Sequence, residues 1–391
     1  MLACFSLTVP AAVCVLAAQP ASTRALISSR RTPVVMLEQK IANLEGRIQA
    51  LEQDLLSDPS IYSGDAAYVE EVNWGRRAIL PAIAFGVGAV VTGGSKGLPG
   101  SETYSEMSRL AIVDRGAEAA TAKFFPGALG SLTMDRLCAQ TLAARGYNKD
   151  NTLFASSICP DEINVKPGEM IDLMKTRWGE NFALGGLAGL PFSGKAGFSA
   201  YAHHVPEQGK SFIVFAPHVG VDAGGTVGKI KRDNQGSAST ACGAAVGAYK
   251  GIMASKGEII KSSDPDYDAQ IGFIVEKLGK PVSDKVELAP DAITFVTYQM
   301  YILAREYFVT QLLNAGGFWD DATEVTVLGG IQINRAVGGD RFMPLMMQSR
   351  QQKEGTVVDL YETTFGRAPD LSDALGGTIS NEEIFNYPLG K

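Results

Sequence analysis

Hydrophobic positions along this chain repeat with helical spacing in some segments and form short continuous runs in others. Residues 133–145 place apolar side chains at helical spacing, which predicts a helix with Cys138 on its inner face. The apolar runs 152–158 and 211–216 predict two strands, and 324–334 predicts a third. Strands separated by helices indicate an α/β protein with a mainly parallel sheet flanked by helices.

Two further helices are predicted towards the C-terminus. An Ala-rich helix is expected over 237–255, capped by Ser237 or Ser239, with Cys242 in or near its first turns. Residues 291–314 predict a long helix that is apolar around most of its circumference and is therefore buried.

The front of the chain has a different pattern. No acidic residue precedes Glu38, and an apolar run over residues 5–18 leads into a stretch rich in Ser, Thr and Arg. This order is typical of a signal peptide followed by a transit peptide, so residues 1–36 are predicted to be a plastid-targeting segment. A frayed hydrophobic terminus is the alternative.

Between this segment and the body of the chain, apolar residues recur at spacings of three and four. They predict a short heptad helix over 37–56, which pairs chains weakly or docks on its own domain. Residues 57–104 are interpreted as a linker. Its uncharged run 78–92 follows two adjacent arginines and is short for a bilayer span, so a buried helix or loop is favoured over a second signal for the thylakoid lumen. Residues 105–391 show no linker or repeat and are predicted to form the main domain.

Composition narrows the class of protein. With 391 residues and 46% apolar side chains, the chain can bury a large core. Its formal net charge of -7 offers no general attraction to phosphate backbones, so nucleic acid is not expected as a partner.

Thiols and imidazoles are scarce. Outside the predicted targeting segment the cysteines are Cys138, Cys159 and Cys242, too few for a disulfide framework, so reduced or metal-bound thiols are expected. The histidines are His203, His204 and His218. A zinc site made of histidine alone would need all of them, including two neighbours whose side chains diverge, so any zinc site must include cysteine or carboxylate.

Cys159 and His218 each follow a predicted strand, at the carboxyl edge where ligands of α/β sheets collect. Cys242 lies near a helix N-terminus, whose amides favour a thiolate. The three can converge on one Zn²⁺ and leave a fourth position for water. By spacing alone, however, two buried cysteines and one hydrogen-bonded histidine are favoured, because there is no tight pair such as C-x-x-C.

Longer sequence blocks favour the zinc site over two buried cysteines and a hydrogen-bonded histidine. They are ASSICPDEIN (155–164), GLAGLPFSGKAGFSAYAHHVP (186–206), FAPHVGVD (215–222) and VGKIKRDNQGSASTACGAAVGAY (227–249). The chain resembles the limiting-CO2-inducible B family of microalgae in these blocks, and with FPGALGS and GGIQIN the similarity covers roughly 105–391. The resemblance implies a β-carbonic-anhydrase-like fold, a homodimer or a homologous family partner, and reversible hydration of CO2 to bicarbonate in a plastid CO2-concentrating mechanism.

The same resemblance implies a zinc ion held by Cys159, His218 and Cys242. In β-carbonic anhydrases the first cysteine opens a C-x-D-x-R pattern whose aspartate and arginine pair. Here Asp161 is kept, but Ile163 takes the place of the arginine. We therefore expect Arg232 to supply the guanidinium, with Arg177 as the reserve.

In the implied mechanism, zinc lowers the pKa of a water towards neutrality and the resulting hydroxide attacks CO2. Asp161 accepts a hydrogen bond from this nucleophile, and Arg232 keeps Asp161 ionised. Alternatively Asp161 takes the fourth metal position and closes the site. His203 or His204 is expected to shuttle the proton, with a structural role for the pair as the alternative.

Two rival interpretations remain open. Residues 189–195 fit the phosphate-loop pattern G-x-x-x-x-G-K, but Ala196 follows where Ser or Thr would bind Mg²⁺, so close backbone packing of the glycines is favoured. The other rival is a non-catalytic scaffold or regulatory member of the same CO2-concentrating system. The expected location is the plastid, in the stroma, the pyrenoid region or the thylakoid lumen, with thylakoid association possible in the last case.

Overall fold

A computed structural model describes residues 115–389, apart from 233, 256–267, 313–318, 320–321, 337, 352–354 and 386–388. All of these residues fall within one compact unit that begins at Arg109. The predicted targeting segment (1–36), heptad helix (37–56) and linker (57–104) lie outside the described residues and stay predictions.

The described elements alternate between helices and strands. In chain order they are α1 (115–124), β1 (Leu129–Gly130), α2 (Ser131–Ala144), β2 (Thr152–Ile158), α3 (Met170–Trp178), β3 (Asn181–Ala183), α4 (Gly194–Ala202), β4 (Gly209–Ala216), β5 (His218–Val221), β6 (Lys229–Ile230), β7 (Ser239–Thr240), α5 (Gly243–Ser255), α6 (Ala269–Lys285), α7 (Ala292–Glu306), β8 (Ala322–Arg335), β9 (Arg341–Gln351), β10 (Val357–Asp359), α8 (Tyr361–Phe365), α9 (Ser372–Leu375) and α10 (Asn381–Phe385). Short 3₁₀ turns cover Glu162–Val165, Leu187–Gly189 and Val286–Leu288.

The main sheet has the strand order β1-β9-β8-β4-β2-β3, with β10 beside β9 and β5 beside β8. The strands β3, β2, β4, β5 and β8 run parallel to one another, whereas β9 runs antiparallel to β8, β1 and β10. The prediction of a mainly parallel sheet flanked by helices is confirmed, with an antiparallel edge that the apolar runs alone did not indicate.

Helices cover both faces of this sheet because side chains alternate between the faces along each strand. On one face Phe154 and Phe212 pack with Met134 of α2 and Trp178 of α3. On the other face the core includes buried residues of α4, α5, α6 and α7, among them Phe198, Ala248, Leu278 and Tyr298, and it also contains Ile213 and Phe215 of β4. The result is a three-layer arrangement whose buried strands read as continuous apolar runs.

Most predicted elements are confirmed, with some changed boundaries. The strand over 152–158 is found as predicted, and the other two extend two residues or fewer beyond each predicted end. The helix over 237–255 was predicted too long, since it begins at Gly243. The helix over 291–314 is α-helical only to Glu306 and continues as a π-helical stretch over Tyr307–Leu312.

Within the part of the chain that the structure describes, no helix combines the length and the apolar character needed to cross a bilayer.

Candidate metal site

His218 begins β5, which follows β4 directly in the chain. Because β4 pairs with β2, His218 lies beyond the carboxyl end of β2. Phe215 pairs with Gly329 and His218 pairs with Gln332, so β4 and β5 follow β8 in one register on either side of Pro217. Pro217 has no amide hydrogen to donate, but its carbonyl accepts from Gln332 N at 2.9 Å. His218 is thereby fixed at the sheet edge and is only 1% exposed.

Cys159 lies one residue beyond the end of β2 and is also buried. Asp161, two residues later, caps the 3₁₀ turn Glu162–Val165. Its Oδ1 accepts a hydrogen bond from the Ile163 amide at 3.4 Å. Asn164 of that turn donates from Nδ2 to the Cys159 carbonyl at 3.1 Å. These bonds hold the thiol and the carboxylate on one side of the same tight turn.

Cys242 is brought next to Cys159 and His218 by hydrogen bonds of the residue before it. The Ala241 amide donates to Gly228 O at 3.0 Å, and Gly220 of β5 donates to Ala241 O at 2.9 Å. These bonds tie the residue before Cys242 to the strand that begins with His218. The helix α5 then starts directly after Cys242, whose carbonyl accepts from Val246 N.

The ligand atoms of Cys159, His218 and Cys242 all lie within 4.8 Å of one another, and all three residues are buried. The two sulfur atoms are 3.9 Å apart. Tetrahedral zinc with Zn–S bonds of about 2.3 Å would separate two sulfur ligands by about 3.8 Å. This group can therefore hold a metal ion of that size without a large movement of the backbone.

The imidazole of His218 supports the same conclusion. Its Nδ1 lies 2.8 Å from Asn334 Oδ1, whereas its buried Nε2 has no hydrogen-bond partner among the residues that the structure describes. A buried nitrogen without a partner is costly unless something else uses its lone pair. A metal ion between Nε2 and the two sulfur atoms would use it.

The two thiols do not ionise independently. A hydrogen bond from the Cys242 thiol lowers the pKa of Cys159 to about 4 although burial opposes the shift, and His218 acts in the same direction. The pKa of Cys242 is raised by its bond to Cys159 and by burial. The amides of Ala244 and Ala245 in α5 lower the pKa of Cys242, as expected for a helix N-terminus, but they are outweighed. The two pKa shifts have opposite directions because each thiol is the other's hydrogen-bond partner.

The predicted carboxylate–guanidinium pair is present. Arg232 Nη2 donates to Asp161 Oδ2 at 2.8 Å, and its Nε donates to Glu162 Oε1 at 2.8 Å. Arg177, the reserve, instead makes a two-bond contact with Asp135 at 2.9 and 2.6 Å. Of the two arginines, the structure brings only Arg232 to the site.

Asp161 lies beside the metal group as well as beside the arginine. Its Oδ2 is 3.9 Å from His218 Nε2. Although burial acts to raise it, contacts with Glu162, Arg232 and His218 hold the pKa of Asp161 below its ordinary value. The carboxylate is therefore ionised at neutral pH and presents only acceptors.

His203 and His204 are not brought to this group. Both are exposed at the end of α4, and the His204 ring contacts Phe182. Phe182 pairs with Ala155 at the middle of β2, four residues before Cys159, so His204 lies beside the middle of the strand and not at the end that leads to Cys159. The proton-shuttle role of these histidines stays a prediction, without support from their position in this chain.

The phosphate-loop pattern does not form a phosphate cradle. Gly189 (φ 75°) ends a 3₁₀ turn, and a Cβ placed on it would overlap the carbonyl group of Ala216 at the end of β4. Gly189 thus allows close backbone packing against Ala216, which is two residues before His218, as the sequence predicts.

Two contributors to the site were not predicted from the sequence. Asn334 holds His218, and Ser239 accepts a hydrogen bond from Arg232. GGIQIN, one of the blocks that resemble the family, contains Asn334, but no sequence spacing connects it to His218. Ser239 was assigned to a helix cap and instead lies in β7.

A parallel sheet with a buried Cys-His-Cys group at its carboxyl edge and an aspartate–arginine pair beside it defines a β-carbonic-anhydrase-like protein. The family model of limiting CO2-inducible proteins B/C, beta carbonic anhydrases, matches residues 128–351. The chain therefore belongs to this family.

Solved structures agree with that assignment. PtLCIB4, described as a homolog of the limiting CO2-inducible protein LCIB, is 30% identical with a TM-score of 0.56, and the match covers 62% of this chain and 98% of that chain. A single-residue variant of PtLCIB4 is also 30% identical over the same shares, with a TM-score of 0.51. The search of curated proteins found no match.

Proposed function

We propose that this protein is a zinc-dependent carbonic anhydrase that interconverts CO2 and bicarbonate. The observation that carries the proposal is the convergence of Cys159, His218 and Cys242 beside the Asp161–Arg232 pair. A metal group kept only for folding would not need an ionised carboxylate held next to it by a guanidinium.

The donor set favours zinc over other common divalent ions. Two thiolates and one imidazole nitrogen are ligands typical of zinc, whereas Mg²⁺ and Ca²⁺ take oxygen ligands. Three protein ligands are also the number found in catalytic zinc sites, which keep one position open. When bound there, zinc would lower the pKa of water and so supply a nucleophile near neutral pH.

Asp161 would orient this nucleophile. An ionised carboxylate can only accept hydrogen bonds, and Arg232 already occupies one side of Oδ2 at 2.8 Å. The guanidinium is itself held by Glu162 and Ser239, so it has a fixed direction. Arg232 would thus keep Asp161 charged and prevent it from turning onto the metal and closing the site.

The apolar residues near the site suit CO2 as the substrate. Ile163, Ile230 and Ala241 form a small buried cluster of their own. Each lies within two residues of Asp161, Arg232 or Cys242. Ile163, which takes the place of the arginine in the C-x-D-x-R pattern, thus adds an apolar side chain next to the site, and apolar neighbours suit a small uncharged substrate.

A stopped-flow assay of CO2 hydration by the full chain tests this function. We expect wild-type protein loaded with zinc to accelerate hydration, and Cys159→Ser to remove both the zinc and the acceleration. Wild-type protein that holds zinc and leaves the uncatalysed rate unchanged would favour a non-catalytic member of the CO2-concentrating system instead.

We also propose that the protein works in a plastid as a homodimer or with a homologous partner, as the family resemblance implies. The apolar and Ser/Arg-rich order of residues 1–36 supports the location. Mass spectrometry of the N-terminus from native organelles should find a start near residue 37. A start beyond Thr92 would favour the thylakoid lumen, and an intact Met1 would contradict the targeting proposal.

A further inference from the structure

The face of β8 beneath His218 carries polar side chains that belong to no part of the proposed mechanism. Gln332 pairs with His218 in register, and Asn334 is two residues further along, so all three lie on the same face of the sheet. Asn334 and Gln332 are buried, with exposed fractions of 0% and 2%. Buried amides of this kind need a full set of hydrogen-bond partners.

Asn334 finds those partners in a connected series. Its Oδ1 lies 2.8 Å from His218 Nδ1, and its Nδ2 lies 2.9 Å from Asp340 Oδ2 and 3.3 Å from Ile163 O. The amide cannot be turned around, since its oxygen would then face a carboxylate and a carbonyl, both of them acceptors. The carboxylate of Asp340 therefore determines that Asn334 presents its oxygen to His218.

An amide oxygen can only accept, so His218 Nδ1 must carry a proton. In the neutral ring this leaves the lone pair on Nε2, the buried nitrogen that lies with the sulfur atoms of Cys159 and Cys242. The tautomer that a metal ion requires is thus selected by a residue that does not touch the metal.

Asp340 is well placed to hold this arrangement. It is 1% exposed in the turn before β9, and its Oδ1 accepts from Arg335 N at 2.9 Å. Its own amide donates to Glu169 Oε1 at 3.0 Å, and Lys166 Nζ lies 3.7 Å from its Oδ1. Because both oxygens already accept hydrogen bonds, turning the carboxylate away from Asn334 would also break the bond from the Arg335 amide.

We propose that Asn334 is a positioning residue of the metal site, which fixes the proton of His218 on Nδ1 while Asp340 fixes the Asn334 amide. This inference rests on the proposed function, because it assigns Asn334 a role at the same metal ion. The amide is neutral, unlike the carboxylates that often hold metal-binding histidines, so it orients the ring without adding charge to a site that already has two thiolates.

The test uses the full chain with ¹⁵N-labelled histidine, which gives few signals because the chain has three histidines. In metal-free wild-type protein, NMR should show His218 with its proton on Nδ1. In Asn334→Leu the two neutral tautomers should both be populated. Zinc affinity, measured by competition with a chelator, should fall about 10- to 100-fold, the range typical of lost outer partners of metal ligands.

Gln332→Leu is the matched control. It removes a buried amide from the same face of the same strand, and this amide also donates to Asp340 Oδ2, at 3.3 Å, but it makes no bond to the His218 ring. We expect its stability to fall while its zinc affinity stays within about threefold of wild type and its His218 tautomer is unchanged.

Asp340→Asn provides a second variant if Asn334→Leu does not fold. It places an amide where both Asn334 and the Arg335 backbone need an acceptor, and we expect about 10-fold weaker zinc binding. The inference is overturned if metal-free wild-type His218 carries its proton on Nε2, or if Asn334→Leu binds zinc as tightly as wild type. Wild-type protein that binds no zinc would instead refute the proposed function, while the tautomer measurement would still decide the role of Asn334.

Discussion

Cysteines in the described part of the chain have two kinds of surroundings. Cys138 packs in the core between α2 and the sheet, where burial raises its pKa, so it remains an uncharged thiol. Cys159 and Cys242 face each other at the sheet edge. The same residue type therefore packs in the core at one position and lies in the candidate metal site at the other two.

Substitution of these cysteines should separate the two roles. We expect Cys242→Ser to weaken zinc binding by more than about 100-fold, since loss of a ligand should exceed the effect of losing an outer partner. Cys138→Ala should bind zinc normally and lose about 1–2 kcal/mol of stability through a small cavity. Elemental analysis and thermal unfolding measure these outcomes. Full zinc in Cys242→Ser would remove that residue from the site.

We expect substitutions of Asp161 and Arg232 to lower the CO2 hydration rate without loss of bound zinc. Asp161→Asn keeps the three ligands, so zinc should stay bound while CO2 hydration falls by about 100-fold or more, as for other groups that act on the nucleophile. Arg232→Ala should also retain zinc and lose activity, because Asp161 is then free to reach the metal.

Arg177→Ala is the control for the arginine. It removes an arginine that binds Asp135 and makes no contact with Asp161, so the hydration rate per bound zinc should match wild type. Equal activity losses in Arg177→Ala and Arg232→Ala would show that stability, and not the Asp161 contact, accounts for the effect.

At the scale of single residues, the sequence predicted the ligand set through blocks that resemble a known family. Arg232, preferred over Arg177 from the sequence, hydrogen-bonds Asp161 in the structure although Arg232 and Asp161 are 71 residues apart; its catalytic role stays a prediction. Asn334 had no comparable signal. Its contact with His218 depends on the register between β5 and β8, which sequence spacing does not reveal.

Among the secondary-structure elements, β4 and the turn Leu187–Gly189 that packs on its end determine where His218 lies. Gly189 and Gly168 both have φ near +75°, but a Cβ on Gly168 would meet nothing within 4 Å. Ala at either position should lower the free energy of unfolding by about 1 kcal/mol, because its side chain disfavours the left-handed backbone. At Gly189 the Cβ would also push against Ala216.

We therefore expect Gly189→Ala to lose more stability than Gly168→Ala, by about 1–3 kcal/mol, the usual cost of an overpacked position. Its zinc affinity should also fall, because Pro217 and His218 follow the displaced residue directly. Denaturant unfolding and chelator competition measure the two effects. Equal behaviour of the two variants would show that the turn over Leu187–Gly189 does not set the position of His218.

Element boundaries were predicted best where local pattern and tertiary contacts agree. The strand over 152–158 is an apolar run buried on both faces, so pattern and environment coincide. The helix over 237–255 was predicted to begin too early, because Ala241 bonds to Gly228 and Gly220 instead of continuing the helix. Those partners lie in β5 and in the loop that follows it, and the bonds also bring Cys242 to the site.

At the scale of the whole molecule, one buried carboxylate joins three elements at the end of the sheet opposite the metal site. Glu324 of β8 accepts from Lys210 of β4 at 2.7 Å and from Arg145, just after α2, at 2.7 Å. Although burial acts to raise it, these bonds and that from Ser349 hold the pKa of Glu324 below its ordinary value.

A lowered folded-state pKa means that Glu324 stabilises the fold above its ordinary pKa and that this contribution is lost as the pH falls through the lowered value. Glu324→Gln should therefore cost about 3 kcal/mol at neutral pH, since it leaves two partly buried cations without their buried partner. The difference from wild type should shrink below about pH 4.5. Glu276→Gln, at an exposed pair with Lys277, should change stability by less than about 1 kcal/mol. A pH-independent difference would contradict this account of Glu324.

We propose that one zinc ion, held by Cys159, His218 and Cys242, makes this chain a carbonic anhydrase. The most direct measurement strips the full chain of metal and adds zinc back in steps, with bound zinc and the CO2 hydration rate determined on the same samples. We predict a rate that rises in proportion to bound zinc and stops rising at one zinc per chain. A hydration rate that stays at the uncatalysed value after one zinc is bound, or that is unaffected by removing the metal, would contradict the account.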